Sequence, residues 1–328
     1  MTKDSVLAIL KRSPGYVSGE KISGELGVSR AAVNSAIKAL RESGYDIKSV
    51  TNRGYFLANS PDKLTMGELL TVLPLERLER VTVLESVDST NNYARELAEK
   101  GAPGGTIVIA NHQTRGRGRL GRGFDSPREK GVYMSAVLRP DCTPEQAGSL
   151  TAWTAELMCD AVEAACGKRP GIKWVNDLVM EKRKISGILT EMSLEAESGR
   201  ILYVVIGIGV NANEAPEDFA PEIRETAGSL AQITGGPVSR ALLAGEMIRA
   251  FDIIDGEFPA GQPYYVRRYR RDSVTIGREC AIIRKGEREE VLALDIDDAF
   301  GLVVRHKSGE EETLRSGEVS VRDIDGYV

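Results

Sequence analysis

Hydrophobic residues near the amino terminus recur at helical spacing. Val6, Ile9 and Leu10 define one face of an opening helix, because positions three and four residues apart lie on the same side of a helix. Residues 21–26 predict a short second helix that ends at Gly27, since glycine readily adopts the left-handed conformation that closes a helix. The chain is therefore predicted to open with two short helices.

A third helix is predicted directly after them. Ser29 is a favourable N-cap for it. Apolar residues follow at Val33, Ile37 and Leu40, which form a stripe along one side. The outer face carries small, polar and basic side chains, as a helix that enters the major groove of DNA requires. The candidate DNA contacts on this face are Ser29, Arg30, Asn34, Ser35 and Lys38.

Two strands are predicted within residues 44–57, joined by a turn at residues 51–54. They complete a winged helix-turn-helix domain, with Arg53 near the tip of the wing as a further candidate DNA contact. The alternative is a three-helix surface domain that binds no nucleic acid. The apolar stripe and the basic outer face together favour DNA binding. Ser60 and Pro61 then make a short linker.

Helices and strands alternate in an irregular order between residues 65 and 270. Strands are predicted at residues 81–85, 106–111, 132–139 and 202–210, a hairpin around 181–184, and helices at 92–100 and 145–166. The strand at residues 132–139 has an alternating pattern. Long antiparallel strands mixed with helices indicate an α+β sheet rather than a doubly wound parallel one.

The last stretch, residues 271–328, contains short strands separated by glycine turns. It predicts a small β-barrel with no recognisable chemistry of its own. The protein is therefore expected to be an α+β multidomain chain, with domains at residues 1–60, 65–270 and 271–328.

Composition narrows the class of protein. The 328 residues are 41% hydrophobic and 28% charged, which is ordinary for a globular protein. No segment approaches the roughly 18 apolar residues that span a membrane, and the first residues lack the features of a secretory signal. A cytoplasmic protein with no membrane partner is expected.

Charge is unevenly distributed along the chain. Residues 1–60 carry nine Lys and Arg against five Asp and Glu, a net charge of +4, whereas the whole chain carries −5. The remainder therefore carries −9. A basic amino-terminal segment followed by an acidic remainder favours a polyanion-binding module joined to a domain of another kind.

The cysteines and histidines indicate no metal site. The four cysteines lack the Cys-x-x-Cys spacing, and the chain has only two histidines. A structural zinc site needs four such ligands at characteristic spacings. No residue is therefore assigned as a metal ligand.

The segment with the clearest chemical character is RGRGRLGR at residues 115–122, here called the arginine loop. It matches the dinucleotide-binding pattern G-x-G-x-x-G and follows a predicted strand. A Rossmann loop opens directly into a helix, whose amino terminus holds the pyrophosphate. The sequence GFDSP at residues 123–127 follows instead, and it is incompatible with a helix interior. The Rossmann interpretation is therefore rejected.

Arginine is the dominant residue of this loop, at positions Arg115, Arg117, Arg119 and Arg122. Glycines let the backbone approach a ligand closely, while arginines bind phosphate and carboxylate oxygens, often through two hydrogen bonds. The pattern predicts a mobile cationic clamp for an acyl phosphate. The alternatives on spacing alone are a solvated basic turn and an RGG-like contact with nucleic acid.

Five segments together resemble the motifs of biotin–protein ligases, in that family's order and at compatible spacings. They are DSTN at residues 88–91, QTRGRGRLGRGFDSP at 113–127, KWVND at 173–177, KISGIL at 184–189 and GIGVN at 207–211. With a winged helix-turn-helix ahead of them, the chain is similar to the bifunctional bacterial type, both biotin ligase and biotin operon repressor. The resemblance covers essentially the whole length and implies a class II synthetase-like mixed sheet with helices in the central domain.

Two residues depart from the family pattern. Phe124 stands where the family usually has tryptophan after the loop, and Val175 replaces the usual proline of the KWPND motif. Phe124 still offers an apolar wall for the rings of biotin, and Val175 removes a rigid turn but no charged group. Both leave the affinity for biotin open, and neither changes the assignment.

The resemblance implies a two-step reaction that depends on ATP and Mg²⁺. The carboxylate of biotin attacks the α-phosphate of ATP to give biotinyl-5′-AMP and pyrophosphate. A lysine amine of the biotin carboxyl carrier protein of acetyl-CoA carboxylase, or of a related carboxylase, then attacks the mixed anhydride. Bound biotinyl-5′-AMP is also the implied corepressor, which promotes a homodimer that binds operator DNA.

The motifs imply roles for individual residues. Arg119 and Lys184 are the implied catalytic residues, and Lys184 bridges the carboxylate and the α-phosphate. Asp177 is a third catalytic candidate on chemical grounds, because a carboxylate beside the acceptor lysine would favour loss of its proton. The residues implied in binding biotin or nucleotide are Ser89, Thr90, Asn91, Gln113, Gly116, Arg117, Gly118, Arg119, Arg122, Asn176, Lys184, Gly187 and Asn211. Without the motifs, Ser89 would be only the N-cap of the following helix and Lys184 only a surface lysine.

Two other functions remain open on the sequence. One is a transcription regulator whose ligase-like domain only senses a ligand, and the intact Arg117, Arg119 and Lys184 argue against it. The other is a lipoyl or octanoyl transferase of related fold. Its arginine–serine–glycine-rich acyl motif is missing from this sequence, and no cysteine occupies an evident nucleophile position.

Overall fold

The computed structural model describes residues 2–284, 287–315 and 320–323, and the chain divides into two compact units. The first unit comprises Met1–Val83 and Ser239–Gly245, and the second comprises Leu84–Val238 and Glu246–Val328. The finer division into three domains, at residues 1–60, 65–270 and 271–328, stays a prediction.

The first unit begins with a winged helix. Its elements are α1 (Thr2–Arg12), α2 (Gly19–Leu26), α3 (Arg30–Glu42), β1 (Asp46–Val50) and β2 (Gly54–Asn59). Gly27 closes α2 with a φ of 64°, and the hydroxyl of Ser29 accepts a hydrogen bond from the backbone N–H of Ala32 at 3.2 Å. The apolar stripe of α3 is buried in a core shared with α1 and α2. The predicted helix-turn-helix and its wing are therefore confirmed.

The residues after the winged helix continue the same unit. Its next elements are α4 (Met66–Leu69) and α5 (Leu75–Leu78). The carboxylate of Glu68, 3% exposed, accepts hydrogen bonds from the ammonium of Lys11 and from the hydroxyl of Tyr45 (2.7 Å). Burial, reinforced by this carboxylate, raises the pKa of Tyr45 far above its ordinary value, so the phenol stays a donor. Arg240 is fully buried and donates from Nε to Asp62 at 2.7 Å.

A mixed sheet forms the centre of the second unit. The strand β3 (Val81–Leu84) reaches this unit only at Leu84. The strands within the unit are β4 (Thr106–Ala110), β5 (Val132–Leu138), β6 (Gly171–Lys173), β7 (Asp177–Met180), β8 (Arg183–Leu194) and β9 (Ile201–Val210). From β4 onwards the strand order is β4-β5-β9-β8-β7-β6, and every pairing between these neighbours is antiparallel. An isolated bridge between Val87 and Gln113, just beyond β3 and β4, is parallel. The predicted α+β class is confirmed.

The second unit also contains helices. They are α6 (Thr90–Glu99), α7 (Pro144–Ala147), α8 (Leu150–Cys166), α9 (Leu230–Thr234), the part of α10 (Arg240–Glu257) from Glu246 onwards, and α11 (Gln262–Asp272). Of these, α6, α8 and α11 contact strands of the sheet. Ala94 and Ala98 of α6 pack against Val108 of β4 and Val137 of β5. Small residues on the helix let it approach the sheet closely, which places the start of α6 above the central strands.

Two details of the sequence prediction are wrong. The strand predicted to alternate, now β5, is buried along its whole length, because it lies inside the sheet with both faces covered. The helix predicted at residues 145–166 is interrupted, since α7 ends before Gly148 and α8 begins after Ser149. Thr143 forms a capping box at the start of α7, and Pro144 occupies its first turn, so α7 has a start signal of its own.

The carboxyl-terminal residues form a second, smaller sheet. Its strands are β10 (Glu279–Arg284), β11 (Glu287–Ile296), β12 (Leu302–His306), β13 (Glu311–Leu314) and β14 (Ser320–Asp323). Their order is β13-β12-β11-β10-β14, and neighbouring strands are antiparallel. The predicted small β region is confirmed, while its closure into a barrel stays a prediction. Residues 324–328 of the predicted domain lie outside the described residues.

Two further findings concern membranes and thiols. Across residues 2–284, 287–315 and 320–323, no helix has the length and apolar character needed to cross a membrane. The four cysteines are all free thiols. The expected cytoplasmic location stays a prediction.

Candidate active site

A cavity of about 680 Å³ lies in the second unit, a volume typical of small-molecule sites. Most of the predicted site residues line it, namely Ser89, Thr90, Asn91, Gln113, Arg117, Gly118, Arg119, Arg122, Asn176, Asp177, Lys184 and Gly187. Gly116 and Asn211 lie outside this lining. Asn211 is 5% exposed, and its side-chain amide donates to the carbonyl of Gly228 at 3.0 Å. The structure thus brings most of the predicted residues to one place.

The floor of the cavity is a patch of glycines on the central strands. Gly187 of β8 pairs with Gly209 of β9, and Gly207 lies on the same face because side-chain directions alternate along a strand. An added Cβ would lie 2.0 Å from Oδ1 of Asn91 at Gly207, and 2.3 Å from the ring of Phe124 at Gly209. The glycines therefore let these two side chains rest directly on the sheet.

One end of the cavity is polar. Gln113 Oε1 accepts hydrogen bonds from the backbone N–H (2.8 Å) and the hydroxyl (3.1 Å) of Thr90. Gln113 Nε2 donates to the hydroxyl of Ser126 at 2.8 Å. Ser89 occupies the N-cap position of α6, but its side chain makes no capping hydrogen bond to the described backbone of that helix. A capping role therefore does not account for Ser89.

Asn91 is fixed by its neighbours. Its Nδ2 donates to Oε2 of Glu191 at 2.8 Å, and its Oδ1 accepts a hydrogen bond from the hydroxyl of Ser135 at 2.6 Å. The residue is 4% exposed and rests on Gly207. Its amide orientation is thus set by the protein itself, and its direct contact with biotin stays a prediction.

The arginine loop folds back on itself as a tight hairpin. The N–H of Phe124 donates to the carbonyl of Gly116 (2.9 Å), and the N–H of Gly118 donates to the carbonyl of Arg122 (2.7 Å). Its tip is a single 3-10 turn, Arg119–Gly121. A Cβ on Gly116 would lie 2.3 Å from the carbonyl oxygen of Phe124, so the hairpin requires glycine there. The next element is the strand β5 rather than a helix, which agrees with rejecting the Rossmann interpretation.

Two arginines of this loop are bound in different ways. Arg117 forms a bidentate ion pair with Glu191, with Nη2 2.8 Å from Oε1 and Nη1 3.1 Å from Oε2. Arg119 donates from Nη1 to Oδ1 of Asn176 at 2.9 Å. Burial lowers the pKa of Arg119, and nearby Asp177 opposes this effect; a guanidinium still stays charged. The charge of Arg119 is therefore partly desolvated, where it attracts an anion more strongly than in water.

Lys184 and Asp177 face each other across the hairpin of β7 and β8. Lys184 Nζ lies 2.6 Å from Asp177 Oδ1, and the side chains are 29% and 17% exposed. The turn between the strands is made by Glu181 and Lys182, both in the left-handed region with φ of 48° and 62°. A Cβ on Gly187 would lie 3.0 Å from Lys184 Nζ. The ammonium group therefore sits above the glycine floor, beside a carboxylate.

Of the two departures from the family pattern, Phe124 lies at the cavity wall, whereas Val175 does not line the cavity. Phe124 lines the cavity and packs edge-on against Tyr133, with ring centroids 6.4 Å apart. Trp174 also lines it, and its indole N–H donates to the carbonyl of Phe300 at 2.9 Å. Val175 is 2% exposed, and the Trp174–Val175 peptide bond is cis. Phe124 therefore keeps an apolar wall, while Val175 is a buried residue next to the lining residue Trp174.

Several residues of the site were not predicted from the motifs. They are Asn92, Ser135, Glu191, Glu222 and Arg288. Glu222 and Arg288 line the cavity, whereas Ser135 and Glu191 hold predicted residues in place. Ser135 carries a fully buried hydroxyl in the otherwise apolar strand β5. A single polar residue in an apolar strand could have indicated from the sequence that Ser135 belongs to the site. Glu191 follows the KISGIL motif and faces the same side of the strand as Gly187 and Leu189. This alternation along the strand is the feature of the sequence that could have indicated Glu191 as a site residue.

A second cluster of charged side chains lies outside the cavity lining. Glu156, Cys159 and Asp272 place possible ligand atoms within 4.8 Å of one another. Arg169 Nη2 lies 2.8 Å from Glu156 Oε1 and 2.6 Å from Asp272 Oδ2, and Arg268 Nε lies 2.8 Å from Glu156 Oε1. Burial raises the pKa of Glu156 to about 7. Two guanidinium groups would repel a cation, so this cluster is an ion-pair network.

The predicted DNA contacts lie on an exposed part of the winged helix. Those on α3 are all exposed, namely Ser29, Arg30, Asn34, Ser35 and Lys38. Arg53 of the wing is also exposed, with its guanidinium 4.6 Å from the ring centroid of Tyr16. The hydroxyl of Tyr55 donates to Oδ1 of Asn34, which joins the wing to α3. Contact of these residues with DNA stays a prediction.

Two family models match this chain. The model described as the biotin/lipoate A/B protein ligase family matches residues 83–211. A model described as an HTH domain matches residues 2–56. The first match contains the arginine loop and both members of the Lys184–Asp177 pair, and the second contains the predicted DNA contacts.

Curated relatives and solved structures give the same result. The chain is 38% identical to the bifunctional ligase/repressor BirA of Bacillus spizizenii over 253 residues, which cover 77% of each chain. It is 29% identical to the protein of that name from Escherichia coli over 314 residues, 94% of each chain. The biotin protein ligase from Aquifex aeolicus, solved with biotin and ATP, matches with a TM-score of 0.62 and 25% identity. That match covers 74% of this chain and 98% of the Aquifex chain.

Proposed function

This chain belongs to the biotin/lipoate A/B protein ligase family, in its bifunctional ligase/repressor form, and on that premise we propose that it attaches biotin to a carrier protein and represses transcription. The resemblance predicted from the motifs is confirmed. The acceptor is a lysine of the biotin carboxyl carrier protein of acetyl-CoA carboxylase or a related carboxylase. The observation that carries the proposal is that the arginine loop, Lys184 and the polar Gln113–Thr90 pair surround one cavity.

The first step joins biotin to AMP. Gln113 and its partners offer hydrogen-bonding groups to the ureido ring, and the glycine floor with Phe124 offers apolar surface to the rest of biotin. The carboxylate attacks the α-phosphorus of ATP, the bond to the pyrophosphate leaving group breaks, and biotinyl-5′-AMP forms. Arg119 and Lys184 bring two cations to the lining where these anions meet. Their contribution is positioning and stabilisation of developing negative charge.

Mg²⁺ accompanies ATP in this proposal. Magnesium prefers oxygen ligands and is usually held by one or two carboxylates together with substrate phosphates. The cavity lining contains the carboxylates of Asp177 and Glu222, which fits that preference. Asp177 is already paired with Lys184, so Glu222 is the better placed of the two. When bound, Mg²⁺ supplies neutralisation of phosphate charge, and Asn176 and Asn211 remain proposed nucleotide contacts.

Replacing Asp177 with asparagine is expected to slow transfer of biotin from preformed adenylate to the carrier. A lysine amine with a pKa of about 10.4 must lose its proton at pH 7, at a cost of roughly 4–5 kcal/mol, and a carboxylate beside the acceptor assists that loss. We expect transfer about tenfold slower at pH 7, and a smaller deficit at pH 9, where more amine is already deprotonated. Single-turnover transfer across this pH range measures the effect.

The control for this experiment is Asp141→Asn, because Asp141 is an exposed carboxylate outside the cavity lining. Its transfer rate should equal that of the unmodified protein at every pH. An unchanged rate in Asp177→Asn across the same range would remove Asp177 from the transfer step.

The activity itself is tested by biotin-dependent exchange of labelled pyrophosphate into ATP, using the whole protein. Exchange is expected with biotin and not with lipoate or octanoate. Exchange with lipoate or octanoate alone would identify a ligase that activates that acid instead of biotin. No exchange with any of the three acids would exclude adenylate formation, which is the outcome expected of a regulator that only senses a ligand or of a lipoyl or octanoyl transferase that takes its acyl group from a donor carrier.

The winged helix is proposed to bind operator DNA as part of a homodimer that forms on binding biotinyl-5′-AMP. Helix-turn-helix dimers place two recognition helices on half-sites about one helical turn apart. The exposed face of α3 supplies the base and phosphate contacts in this proposal. Sedimentation of the protein with and without biotin and ATP measures the dimer, which should form only with both substrates.

Replacing Lys38 with alanine is expected to reduce the salt dependence of operator binding. Each phosphate contact adds about 0.9 to the slope of log affinity against log salt concentration, so this variant should lose about one unit of slope. Titrations at several salt concentrations measure it. Lys100→Ala, an exposed lysine of the second unit, is the control and should keep the full slope. An unchanged slope in Lys38→Ala would exclude a phosphate contact by this residue.

A further inference from the structure

Glu191 lies where the polar end of the cavity meets the arginine loop. It is in β8, directly opposite Val205 of β9. Alternate residues of a strand face the same side, so Glu191 shares the sheet face of Leu189 and Gly187. Its side chain is 29% exposed, which places the carboxylate at the rim rather than in the interior.

Both oxygens of the Glu191 carboxylate bind neighbouring side chains. Oε1 lies 2.8 Å from Arg117 Nη2, while Oε2 accepts hydrogen bonds from Arg117 Nη1 (3.1 Å) and Asn91 Nδ2 (2.8 Å). Arg117 Nη1 also donates to Oδ1 of Asn92 at 3.0 Å, and Asn92 Nδ2 donates to Asp88 Oδ2 at 2.6 Å. One carboxylate therefore connects the arginine loop to the start of α6.

The pairing of Glu191 with Arg117 resembles the way a guanidinium binds a substrate carboxylate. A bidentate arginine–carboxylate pair is both strong and directional. Because Glu191 engages both terminal nitrogens of Arg117, that guanidinium is held at the rim of the cavity. Arg119, bound instead to the neutral amide of Asn176, keeps its charge for a bound anion.

We propose that Glu191 is a positioning residue of the ligase reaction, which anchors the arginine loop through Arg117 and orients the amide of Asn91 at the biotin end. The proposal rests on the proposed function for the identity of the substrate. It assigns Arg117 to anchoring the loop and leaves binding of the reacting carboxylate and phosphate to Arg119 and Lys184. The carboxylate of Glu191 thereby holds Asn91 at the biotin end of the site and Arg117 in the arginine loop.

Glu191→Gln separates these contacts from a general structural role. The glutamine carbonyl can still accept the hydrogen bond from Asn91, but its NH₂ group cannot pair with Arg117. Glu195→Gln is the matched control, because Glu195 follows β8 on the same chain segment, is exposed and bonds only the nearby Ser198 hydroxyl among the described side chains. Thermal midpoints of both variants should match that of the unmodified protein.

The first measurement is limited trypsin digestion of the ligand-free protein, because the loop itself contains four arginines. An ion pair at the surface restrains its segment modestly, so we expect cleavage within residues 115–122 to be roughly two- to five-fold faster in Glu191→Gln. Glu195→Gln should be cleaved at the unmodified rate. Equal rates in Glu191→Gln and in the unmodified protein would overturn the anchoring role.

The second measurement is the kinetics of biotin-dependent pyrophosphate exchange. We expect Glu191→Gln to raise the KM for biotin about tenfold, the effect of losing one charge-assisted interaction, with the kcat and the KM for ATP changed less than about threefold. Addition of Arg117→Gln should produce no further rise, because the two residues act as one unit. Additive effects, or an unchanged KM for biotin, would contradict the proposal.

The two measurements keep this proposal separate from the proposed function. Trypsin digestion uses no substrate, so it tests the Glu191–Arg117 anchor even if the unmodified protein fails to exchange pyrophosphate. Exchange by the unmodified protein, together with unchanged digestion and KM in Glu191→Gln, would sustain the ligase function and remove Glu191 from it.

Discussion

Alanine at position 184 is expected to reduce biotin-dependent pyrophosphate exchange by a factor on the order of 10²–10³, the effect of removing one preorganised charge-stabilising donor. Lys184 lines the cavity and its ammonium lies 2.6 Å from Asp177, so the position of the charge is set before substrate arrives. The loss should be larger in kcat than in KM, because the α-phosphate oxygens, already anionic in bound ATP, gain further negative charge as the carboxylate attacks. Steady-state exchange at saturating biotin and ATP measures it.

Lys182→Asn is the matched control for Lys184→Ala. Lys182 is an exposed lysine two residues away, in the left-handed turn before β8, and asparagine tolerates that conformation. This control removes one positive charge from the same hairpin, and it should keep full exchange activity. Equal activity of Lys184→Ala and Lys182→Asn would show that Lys184 is only a surface lysine, and would weaken the acyl-phosphate mechanism.

Arg119→Gly is expected to release biotinyl-5′-AMP before the carrier arrives. A charge-assisted hydrogen bond contributes on the order of 1.5–3 kcal/mol, so losing one should raise the rate of adenylate escape about 10- to 100-fold. Free adenylate reacts with amines in general, and bystander proteins should therefore become biotinylated. The dissociation rate of preformed adenylate and the labelling of an added non-carrier protein measure the two effects.

Arg115→Gly is the control for this variant, because Arg115 belongs to the same loop but does not line the cavity. It should retain the adenylate and label the carrier selectively. Retained adenylate with selective labelling in Arg119→Gly would mean that other groups hold the intermediate. A leak of equal size in both variants would point to the mobility of the loop rather than to the charge of Arg119.

Features that depend on short-range chemistry were predictable from the sequence. Ser29 caps α3 and Gly27 closes α2 as expected, because a cap is made with residues only a few positions away. The hairpin of β7 and β8 was predicted around residues 181–184, where its turn lies, because a turn also depends on residues close together in the sequence. The arginine loop could be separated from a dinucleotide-binding loop, because the residues after it cannot form a helix.

Features that depend on distant partners were not predictable. Nothing near Glu191 in the sequence indicates that its carboxylate binds Arg117, 74 residues away, and Asn91, 100 residues away. The full burial of β5 did not follow from its alternating sequence pattern, because burial depends on which elements lie beside a strand. The identity of the acyl group came from family motifs, since four arginines would clamp many anions.

The contacts of Glu68 bear on how a chain of this kind could have arisen. Glu68 lies beyond the linker at Ser60, yet its buried carboxylate is the acceptor for Lys11 and Tyr45 of the winged helix. A gene fusion that joined only residues 1–60 to an existing ligase would have left both donors without this partner. A fusion that kept these contacts would have to include Glu68, or the recipient would have to supply another acceptor for the two donors. Truncation of the winged helix would in turn remove Lys11, the cation that pairs with Glu68 among the residues that the structure describes.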